Sequence, residues 1–271
     1  MQADPLDMSG VSGDARGMTP LDSFLDHPTP LAIAHRGGAG EGDENTMPAF
    51  EHAVRLGYRY VEADVQVSRD GEAVLFHDAT LARLTGAQGR VRDQDWPTLA
   101  QLRTPRGARL LRLDALLHAF PELRIVLEPK TEAAVPAIAR HIRRHNALAR
   151  VCVGAFRPWR TWRLRREFGE GLCWSPSHFG VARLWVAGLG LPTGQPGFRV
   201  VQVPRRWRGV PLVTRGFVRA AHARGIHVHV WTVDDPGEMR DLLDLGVDGL
   251  MTDRPTELRA VLEARGDWTG G

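Results

Sequence analysis

The chain has 271 residues, of which 43% are hydrophobic and 25% are charged. These proportions are typical of a folded globular protein, and they exclude a collagen-like, coiled-coil or wholly disordered chain. The formal net charge of +3 is too small to indicate nucleic acid as a partner, and two cysteines are too few for a disulfide framework.

The first 29 residues contain five aspartates and no continuous apolar run, so they do not resemble a secretory signal. We expect residues 1–29 to form a flexible leader, residues 30–264 to form one domain and residues 265–271 to form a C-terminal tail. No stretch reaches the roughly 18 apolar residues that a membrane-spanning helix needs. The default expectation is a soluble cytoplasmic protein without a transmembrane segment.

Eight short runs rich in Val, Ile, Leu and Ala alternate with longer helical stretches. Most of these runs are continuous rather than alternating, which is typical of parallel strands covered on both faces. The predicted strands are 31–35, 60–65, 124–128, 151–156, 172–175, 200–203, 226–232 and 249–252. Helices are predicted at 46–57, 159–168, 214–224, 236–245 and 256–264.

This alternation predicts an α/β fold, a (β/α)₈ TIM barrel, since eight strand–helix units over about 240 residues match the size of that fold. An open doubly wound sheet is the structural alternative, but no Gly-x-Gly-x-x-Gly turn supports it.

One connection interrupts the alternation. The six residues between Val67 and Val74 are too few for a parallel crossover, and Asp70-Gly71 is a strong hairpin signal. A two-residue turn there, or a four-residue turn at 68–71, places His77 directly opposite Asp64. Residues 79–123 then form an extended loop with one or two helices. The barrel therefore carries a hairpin and loop insertion between its second and third strands.

Three carboxylates gather at predicted strand ends, where barrel enzymes carry their reactive groups. Glu62 and Asp64 share one face of the second strand, and Glu128 ends the next. Each close pair of carboxylates costs about 4 kcal/mol at an effective dielectric near 20, so we expect a divalent cation among them. Oxygen ligands favour Ca²⁺, Mg²⁺ or Mn²⁺ over zinc. The alternative is neutralisation by Arg36 and Lys130 alone.

Two histidines, His35 and His77, follow strand ends beside these carboxylates. A single strand-end histidine is more often structural, but two that converge can exchange acid and base roles near neutral pH. Arg36, the Gly37-Gly38 amides and Lys130, the only lysine of the chain, supply donors for an anion. The site therefore predicts metal-assisted cleavage of a phosphate ester.

Residues 157–210 combine five tryptophans with many arginines. The ordinary interpretation is helix faces that pack on the barrel, with arginine as surface charge. The alternative is an aromatic and basic rim for a lipid-like or phosphorylated ligand.

The motifs of this chain resemble those of the glycerophosphodiester phosphodiesterases, in the same order over residues 31–255. The matching segments are His35-Arg36-Gly37, Glu44-Asn45-Thr46, Glu62-Ala63-Asp64-Val65, Asp70-Gly71, His77-Asp78, Glu128-Pro129-Lys130, Trp231-Thr232-Val233, Gly246-Val247-Asp248-Gly249 and Thr252-Asp253-Arg254-Pro255. Two positions depart from the family pattern. Pro129 replaces an aliphatic residue and should end its strand, and Asp234 stands where asparagine is common.

The resemblance implies a (β/α)₈ barrel that binds one divalent cation, often Ca²⁺ or Mg²⁺. By position, it implies the following roles: metal ligands Glu62, Asp64 and Glu128; general acid and base His35 and His77; phosphate-binding Arg36 and Lys130; substrate-contact or supporting positions Glu44 and Asn45; and a glycerol pocket lined by Trp231. A tryptophan at position 231 also suits the barrel core.

The implied reaction is hydrolysis of a glycerophosphodiester to sn-glycerol 3-phosphate and an alcohol, so the partner is a small-molecule phosphodiester. In the implied mechanism the glycerol 2-hydroxyl attacks phosphorus, and water then opens the cyclic phosphate. Two alternatives remain open. One is phospholipase D-like action on lysophospholipids, and the other is a barrel that binds glycerophosphodiesters or lipid head groups without turnover.

Overall fold

A computed structural model describes residues 19–270 of the chain. The strands in chain order are β1 (Leu31–Ala34), β2 (Tyr60–Val67), β3 (Ala73–Leu75), β4 (Leu111–Arg112), β5 (Arg124–Pro129), β6 (Val151–Val153), β7 (Cys173–Trp174), β8 (Val200–Pro204), β9 (Arg206–Trp207), β10 (Val210–Pro211), β11 (His227–Trp231) and β12 (Gly249–Thr252). The helices are α1 (Pro20–Leu25), α2 (Met47–Arg55), α3 (Ala82–Thr85), α4 (Trp96–Leu99), α5 (Leu113–Ala119), α6 (Ala134–Arg144), α7 (Pro158–Phe168), α8 (His178–Gly188), α9 (Arg215–His222), α10 (Pro236–Leu245) and α11 (Pro255–Arg265).

Eight strands form a nearly closed parallel barrel in the order β7-β6-β5-β2-β1-β12-β11-β8. Within residues 19–270, β7 and β8 share no ladder, but the backbone amide of Gln202 donates to the Ser175 hydroxyl across the gap at 2.9 Å. The predicted TIM barrel is therefore confirmed, and each of the eight predicted strands is present.

The barrel has an apolar interior and an apolar outer layer beneath the helices. All eight residues of β2 are buried, because one face looks into the barrel and the other lies under helices. The β1, β2, β5 and β12 side chains of Ile33, Tyr60, Val126 and Met251 belong to the interior cluster. This continuous burial explains why the strands appear in the sequence as unbroken apolar runs.

The segment before β1 is not a leader throughout. Thr19 caps α1 by accepting the Asp22 amide, and Phe24 is completely buried in the interior cluster. The Tyr60 hydroxyl donates to the Phe24 carbonyl at 2.7 Å. The prediction of a flexible leader is therefore wrong for residues 19–29, where apolar contacts fix the chain, and for residues 1–18 it falls outside the described residues.

Beyond the domain boundary predicted at residue 264, the chain still packs on the barrel. Helix α11 ends at Arg265, and the Trp268 ring lies 5.4 Å from the Tyr58 ring. Trp268 also contacts both of the apolar clusters under the helices. The tail predicted at 265–271 is thus part of the packed domain as far as Trp268, and residue 271 lies outside the described part of the chain.

The hairpin after β2 is present, but its register differs by one residue from the prediction. Val67 pairs with Ala73, and the Phe76 amide donates to the Asp64 carbonyl at 3.0 Å. The loop includes Gly71 at φ 88°, which adds a third loop residue in the left-handed region, a common hairpin geometry. Phe76, not His77, therefore lies opposite Asp64, and His77 follows the end of the ladder.

The insertion from residue 79 to residue 123 contains β4 and three short helices, α3, α4 and α5. Strand β4 pairs with β3, so the insertion extends the sheet beside β2. Strand β5 ends at Pro129, as the missing proline amide predicts. Among residues 19–270, no helix is both long enough and apolar enough to cross a membrane.

Candidate active site

Three carboxylates meet at the C-terminal end of β2 and β5. The register pairs Asp64 directly with Glu128, and Glu62 lies two residues earlier on the same face of β2. One oxygen of each side chain lies within 4.8 Å of the other two. The structure thus brings together the three residues predicted to hold a cation.

Burial and neighbouring charges give the three carboxyl groups different pKa values. Burial, followed by the Asp64 charge, raises the pKa of Glu62 to about 8. Burial also raises the pKa of Glu128. For Asp64, burial is opposed and outweighed by Lys130 and Arg36, which lower its pKa. The site can therefore accept positive charge beyond what its own side chains provide.

Arg36 and Lys130 neutralise only part of this set. The Lys130 ammonium lies 3.3 Å from one oxygen each of Asp64 and Glu128, and Arg36 Nε lies 3.1 Å from Asp64. Glu62 accepts the backbone amide of Arg36 at 3.1 Å, and among residues 19–270 no Lys or Arg nitrogen forms an ion pair with it. The alternative of neutralisation by these two side chains alone therefore leaves Glu62 without a Lys or Arg partner, and the donor set fits a divalent cation.

Each of the two histidines is oriented by an aspartate. His35 Nδ1 bonds Asp253 at 2.7 Å, and His77 Nδ1 bonds Asp78 at 2.6 Å. Both rings line the cavity described below, and His35 Nε2 lies 3.7 Å from Glu62. Burial lowers the pKa of His35, but Asp253 and Glu62 outweigh burial and raise it overall.

Asn45 and Glu44 support the site from behind. Asn45 donates to the Asp64 carboxylate at 3.0 Å and accepts the Asp64 amide at 3.2 Å, while Glu44 accepts from Arg36 at 3.3 Å. Asn45 has φ 58°, a left-handed conformation that asparagine tolerates well. Both side chains are buried and neither lines the cavity, which fits the supporting one of the two roles expected for them.

Arg83 connects two parts of the site, and the sequence reasoning missed it. Its guanidinium donates to Glu44 at 2.6 and 2.9 Å and to Asp78 at 2.5 Å. Arg83 lies on α3, in the insertion after β3, so no strand-end rule singles it out. Its recognition would have required the tertiary contact between this insertion and the loop after β1.

The turn after β1 differs from the expected phosphate cradle. The Gly38 amide donates to the His35 carbonyl at 2.8 Å, so it is occupied within the turn. A Cβ on Gly37 would approach Ala49 to 2.9 Å, and Gly37 has φ 83°, so this position requires glycine. These glycines shape the turn and orient Arg36, whose side chain reaches the cavity.

A cavity of about 700 Å³ opens beside these groups. Its polar end is lined by His35, Arg36, Glu62, His77, Glu128 and Lys130. Trp231 also lines the cavity, and its ring packs 5.6 Å from Phe156, a residue of the apolar end. The apolar end is lined mainly by Phe156, Val181, Trp185, Trp207, Val210 and Leu212. Trp231 therefore lines the cavity, and its contact with the glycerol of a substrate stays a prediction.

A second group of metal-ligand side chains lies at the far end of α6, away from the cavity. His145 Nε2 bonds Asp114 at 2.9 Å, and His141 lies 3.6 Å from the same oxygen. Arg144 also approaches that oxygen at 3.6 Å. The arginine already supplies positive charge to this carboxylate, so we interpret the group as an ion-pair cluster.

A closely spaced carboxylate set, two oriented imidazoles and cationic side chains on one barrel mouth are the components of a phosphoric diester hydrolase. Comparison with known families specifies which one. The Glycerophosphoryl diester phosphodiesterase family matches residues 35–257, and the chain belongs to that family. It is therefore an enzyme of the glycerophosphodiester phosphodiesterase class, as the motif resemblance implied.

Two curated relatives show the extent of the similarity. The chain is 38% identical over 261 residues to "Probable glycerophosphodiester phosphodiesterase 2" of Mycobacterium tuberculosis, covering 94% of this chain and 98% of the relative. It is 28% identical over 269 residues to "Lysophospholipase D GDPD1" of Rattus norvegicus, with 85% of each chain covered.

Solved structures share the fold at lower identity. The phosphodiesterase domain of a Mycobacterium tuberculosis protein superposes with a TM-score of 0.74 at 24% identity, over 87% of this chain and 99% of that one. An Oleispira antarctica phosphodiesterase in complex with its product sn-glycerol-3-phosphate gives a TM-score of 0.70 at 20% identity, over 87% and 97%.

Proposed function

We propose that this chain hydrolyses glycerophosphodiesters to sn-glycerol 3-phosphate and an alcohol, with one divalent cation as cofactor. The observation that carries the proposal is the approach of Glu62, Asp64 and Glu128 within 4.8 Å, beside two histidines that are each oriented by an aspartate. The product complex of the Oleispira antarctica relative supports this choice of product.

The carboxylates Glu62, Asp64 and Glu128 would hold the cation, and their hard oxygen donors suit Ca²⁺ or Mg²⁺, with Mn²⁺ as a further option. The cation, when bound, polarises a phosphoryl oxygen and offsets charge there. Arg36 and Lys130 line the same end of the cavity and donate to the remaining phosphoryl oxygens. Both side chains are already fixed by the carboxylates, so little ordering is needed on binding.

The two imidazoles would handle the protons. One histidine accepts the proton of the glycerol 2-hydroxyl as its oxygen bonds to phosphorus, and the other donates a proton to the leaving alcohol oxygen as its bond to phosphorus breaks. Water then opens the cyclic phosphate with the two roles exchanged. Asp253 and Asp78 hold Nδ1 of each ring, so Nε2 of both His35 and His77 serves the reacting atoms.

The direct test is incubation with glycerophosphocholine and Ca²⁺ or Mg²⁺, with sn-glycerol 3-phosphate measured with and without a chelator. His77→Ala and Asp64→Asn serve as inactive controls. Metal-dependent product from the unmodified protein supports the proposal. If no soluble glycerophosphodiester yields metal-dependent product, the alternative of a binding barrel without turnover is favoured.

Phospholipase D-like action on lysophospholipids is a second candidate, because the cavity has an apolar end in addition to its polar one. A glycerophosphodiester with a short polar alcohol leaves Val181, Trp185 and Leu212 without a partner, whereas an acyl chain would cover them. The name of the rat relative is consistent with this reaction. Comparison of kcat/KM for lysophosphatidylcholine with kcat/KM for glycerophosphocholine decides between the two reactions. Val181→Asp should lower kcat/KM only for lysophosphatidylcholine.

A cytoplasmic location stays a prediction.

A further inference from the structure

The exposed large apolar side chains are confined to one part of the sequence. Within residues 19–270, all eight of them lie between residues 156 and 210. Phe179 is the most exposed, at 75%. Scattered exposed apolar residues need no explanation, but a concentration of this kind marks an interaction surface.

Five of the eight surround the cavity entrance. Phe156, Trp207 and Val210 line the cavity while remaining exposed, and the His178 ring contacts Phe156 at 5.9 Å and Trp207 at 5.0 Å. Phe179 follows His178 at the start of α8. Trp159, in the first turn of α7, donates to Glu132, two residues after Lys130. We call these five the mouth surface: Phe156, Trp159, Phe179, Trp207 and Val210.

Leu189 and Leu191 are exposed to a similar degree but lie elsewhere. They follow the C-terminal end of α8, so about 15 Å of helix separates Leu189 from Phe179. This separation makes them matched controls for exposed apolar area.

The segment that carries the mouth surface is strongly basic. Residues 157–210 contain ten arginines and two acids, whereas the rest of the chain contains 25 basic and 30 acidic residues. Arg157 stacks on Trp159 at 5.4 Å. Among the ion pairs of residues 19–270, none joins Arg157, Arg206 or Arg208 to a carboxylate. These cations are therefore free to meet an external negative charge.

The β9–β10 hairpin projects two of these arginines. Trp207 pairs with Val210 across the two-residue turn Arg208-Gly209, with φ 49° and 83°. Such a turn favours asparagine and glycine, and an arginine in the left-handed region carries a conformational cost. The exposed tip of this hairpin therefore carries a cation next to the Trp207 ring.

We propose that the mouth surface docks the protein on an anionic lipid bilayer. Tryptophan and arginine together suit the membrane interface, where rings enter the head-group region and guanidinium groups meet lipid phosphates. A second copy of this chain is disfavoured, because a two-fold contact would place one basic surface against the other. Docking requires no turnover, so it stands or fails separately from the proposed activity.

The test is flotation with vesicles of phosphatidylcholine alone or with added phosphatidylglycerol, with protein in each fraction measured directly. Binding is expected only with phosphatidylglycerol and should weaken as salt rises. Arg206→Glu should lower the partition coefficient at least about fivefold, since each basic residue near an anionic surface contributes about that factor. Phe179→Ser should lower it as well. Neither residue lines the cavity.

Matched controls are Arg219→Glu and Leu189→Ser, at exposed positions that are not part of the mouth surface. Thermal unfolding of each variant confirms that it is folded. Unchanged binding in the controls and weaker binding in both test variants supports the proposal. The proposal is overturned if the protein does not bind phosphatidylglycerol vesicles at low salt, if controls and test variants lose binding equally, or if the test substitutions instead dissociate a dimer.

Discussion

His35 and Asp253 lie 218 residues apart in the chain, yet a 2.7 Å hydrogen bond joins them. The barrel closure produces this contact, because β1 pairs with β12 and places Ala34 beside Thr252. His35 directly follows β1 and Asp253 directly follows β12, so the imidazole and the carboxylate lie side by side. Asp234 fixes Asp253 by accepting its backbone amide at 2.8 Å.

Asp253→Asn should preserve the ring position while removing the charge that raises the pKa of His35. We expect kcat/KM to fall about 10-fold to 100-fold, in the range seen when an orienting partner is lost. The limb of the pH–rate profile that reports His35 should shift to lower pH. An unchanged profile with only lower thermal stability would reduce Asp253 to a structural role.

The pair of His35 and Asp253 also makes a pH-dependent contribution to the stability of the folded protein. A histidine with a raised pKa stabilises the folded state below its ordinary value near 6.5, and this contribution is lost as pH rises through the folded value. The Tm difference between the unmodified protein and Asp253→Asn should therefore be largest at acidic pH and decrease above neutrality. Thermal unfolding across this range measures it, and a difference independent of pH would contradict the linkage.

His35→Ala and His77→Ala should each lower turnover by about 10²–10⁴, the usual contribution of general acid–base catalysis. Both proteins should remain folded, because neither ring is in the apolar core. His52→Ala is the matched control, since His52 also bonds a carboxylate, that of Glu41 at 2.8 Å, but does not line the cavity. Equal loss in all three variants would argue against the assigned roles.

Cation binding should release a proton from Glu62. Burial and the Asp64 charge raise the pKa of this carboxyl to about 8, so it is mostly protonated at pH 7 before the cation binds. A bound cation requires the carboxylate form, so up to one proton should be released per cation at pH 7. Calorimetric titration in buffers of different ionisation enthalpy measures this number, and Glu62→Gln should abolish the release. Proton-neutral binding would contradict it.

Lys130→Arg should lower kcat/KM, although the charge is kept. The ammonium is placed 3.3 Å from both Asp64 and Glu128, and a planar guanidinium cannot reproduce this single-point bridge. We expect a loss of about 10-fold or more by analogy with other displaced charged groups. Arg206→Lys, on the exposed hairpin, serves as the control for an equally conservative exchange. Full activity in Lys130→Arg would contradict a specific role for the lysine.

The sequence predicts the barrel well because each strand is buried on both faces and therefore appears as a continuous apolar run. It also predicts the carboxylate set, since a two-residue spacing on one strand dictates a common face. The predicted hairpin register is wrong by one residue, because Gly71 in the left-handed region adds a third loop residue. The Asp-Gly pair alone does not distinguish this loop from a two-residue turn.

The supporting residues were harder to predict, because long-range contacts define them. Arg83 reaches Glu44 from a separate insertion, and the contact between His35 and Asp253 depends on barrel closure. Phe24 falls in the predicted flexible leader, since nothing in a short acidic segment shows that its apolar side chains enter the barrel interior.

The most direct test of the central claim is the activity of protein freed of metal by chelation, with its metal content verified, during stepwise addition of Ca²⁺ or Mg²⁺. We predict negligible hydrolysis of glycerophosphocholine without metal, and recovery that saturates with one bound cation in the unmodified protein but not in Asp64→Asn. Full hydrolysis by verified metal-free protein would contradict the claim.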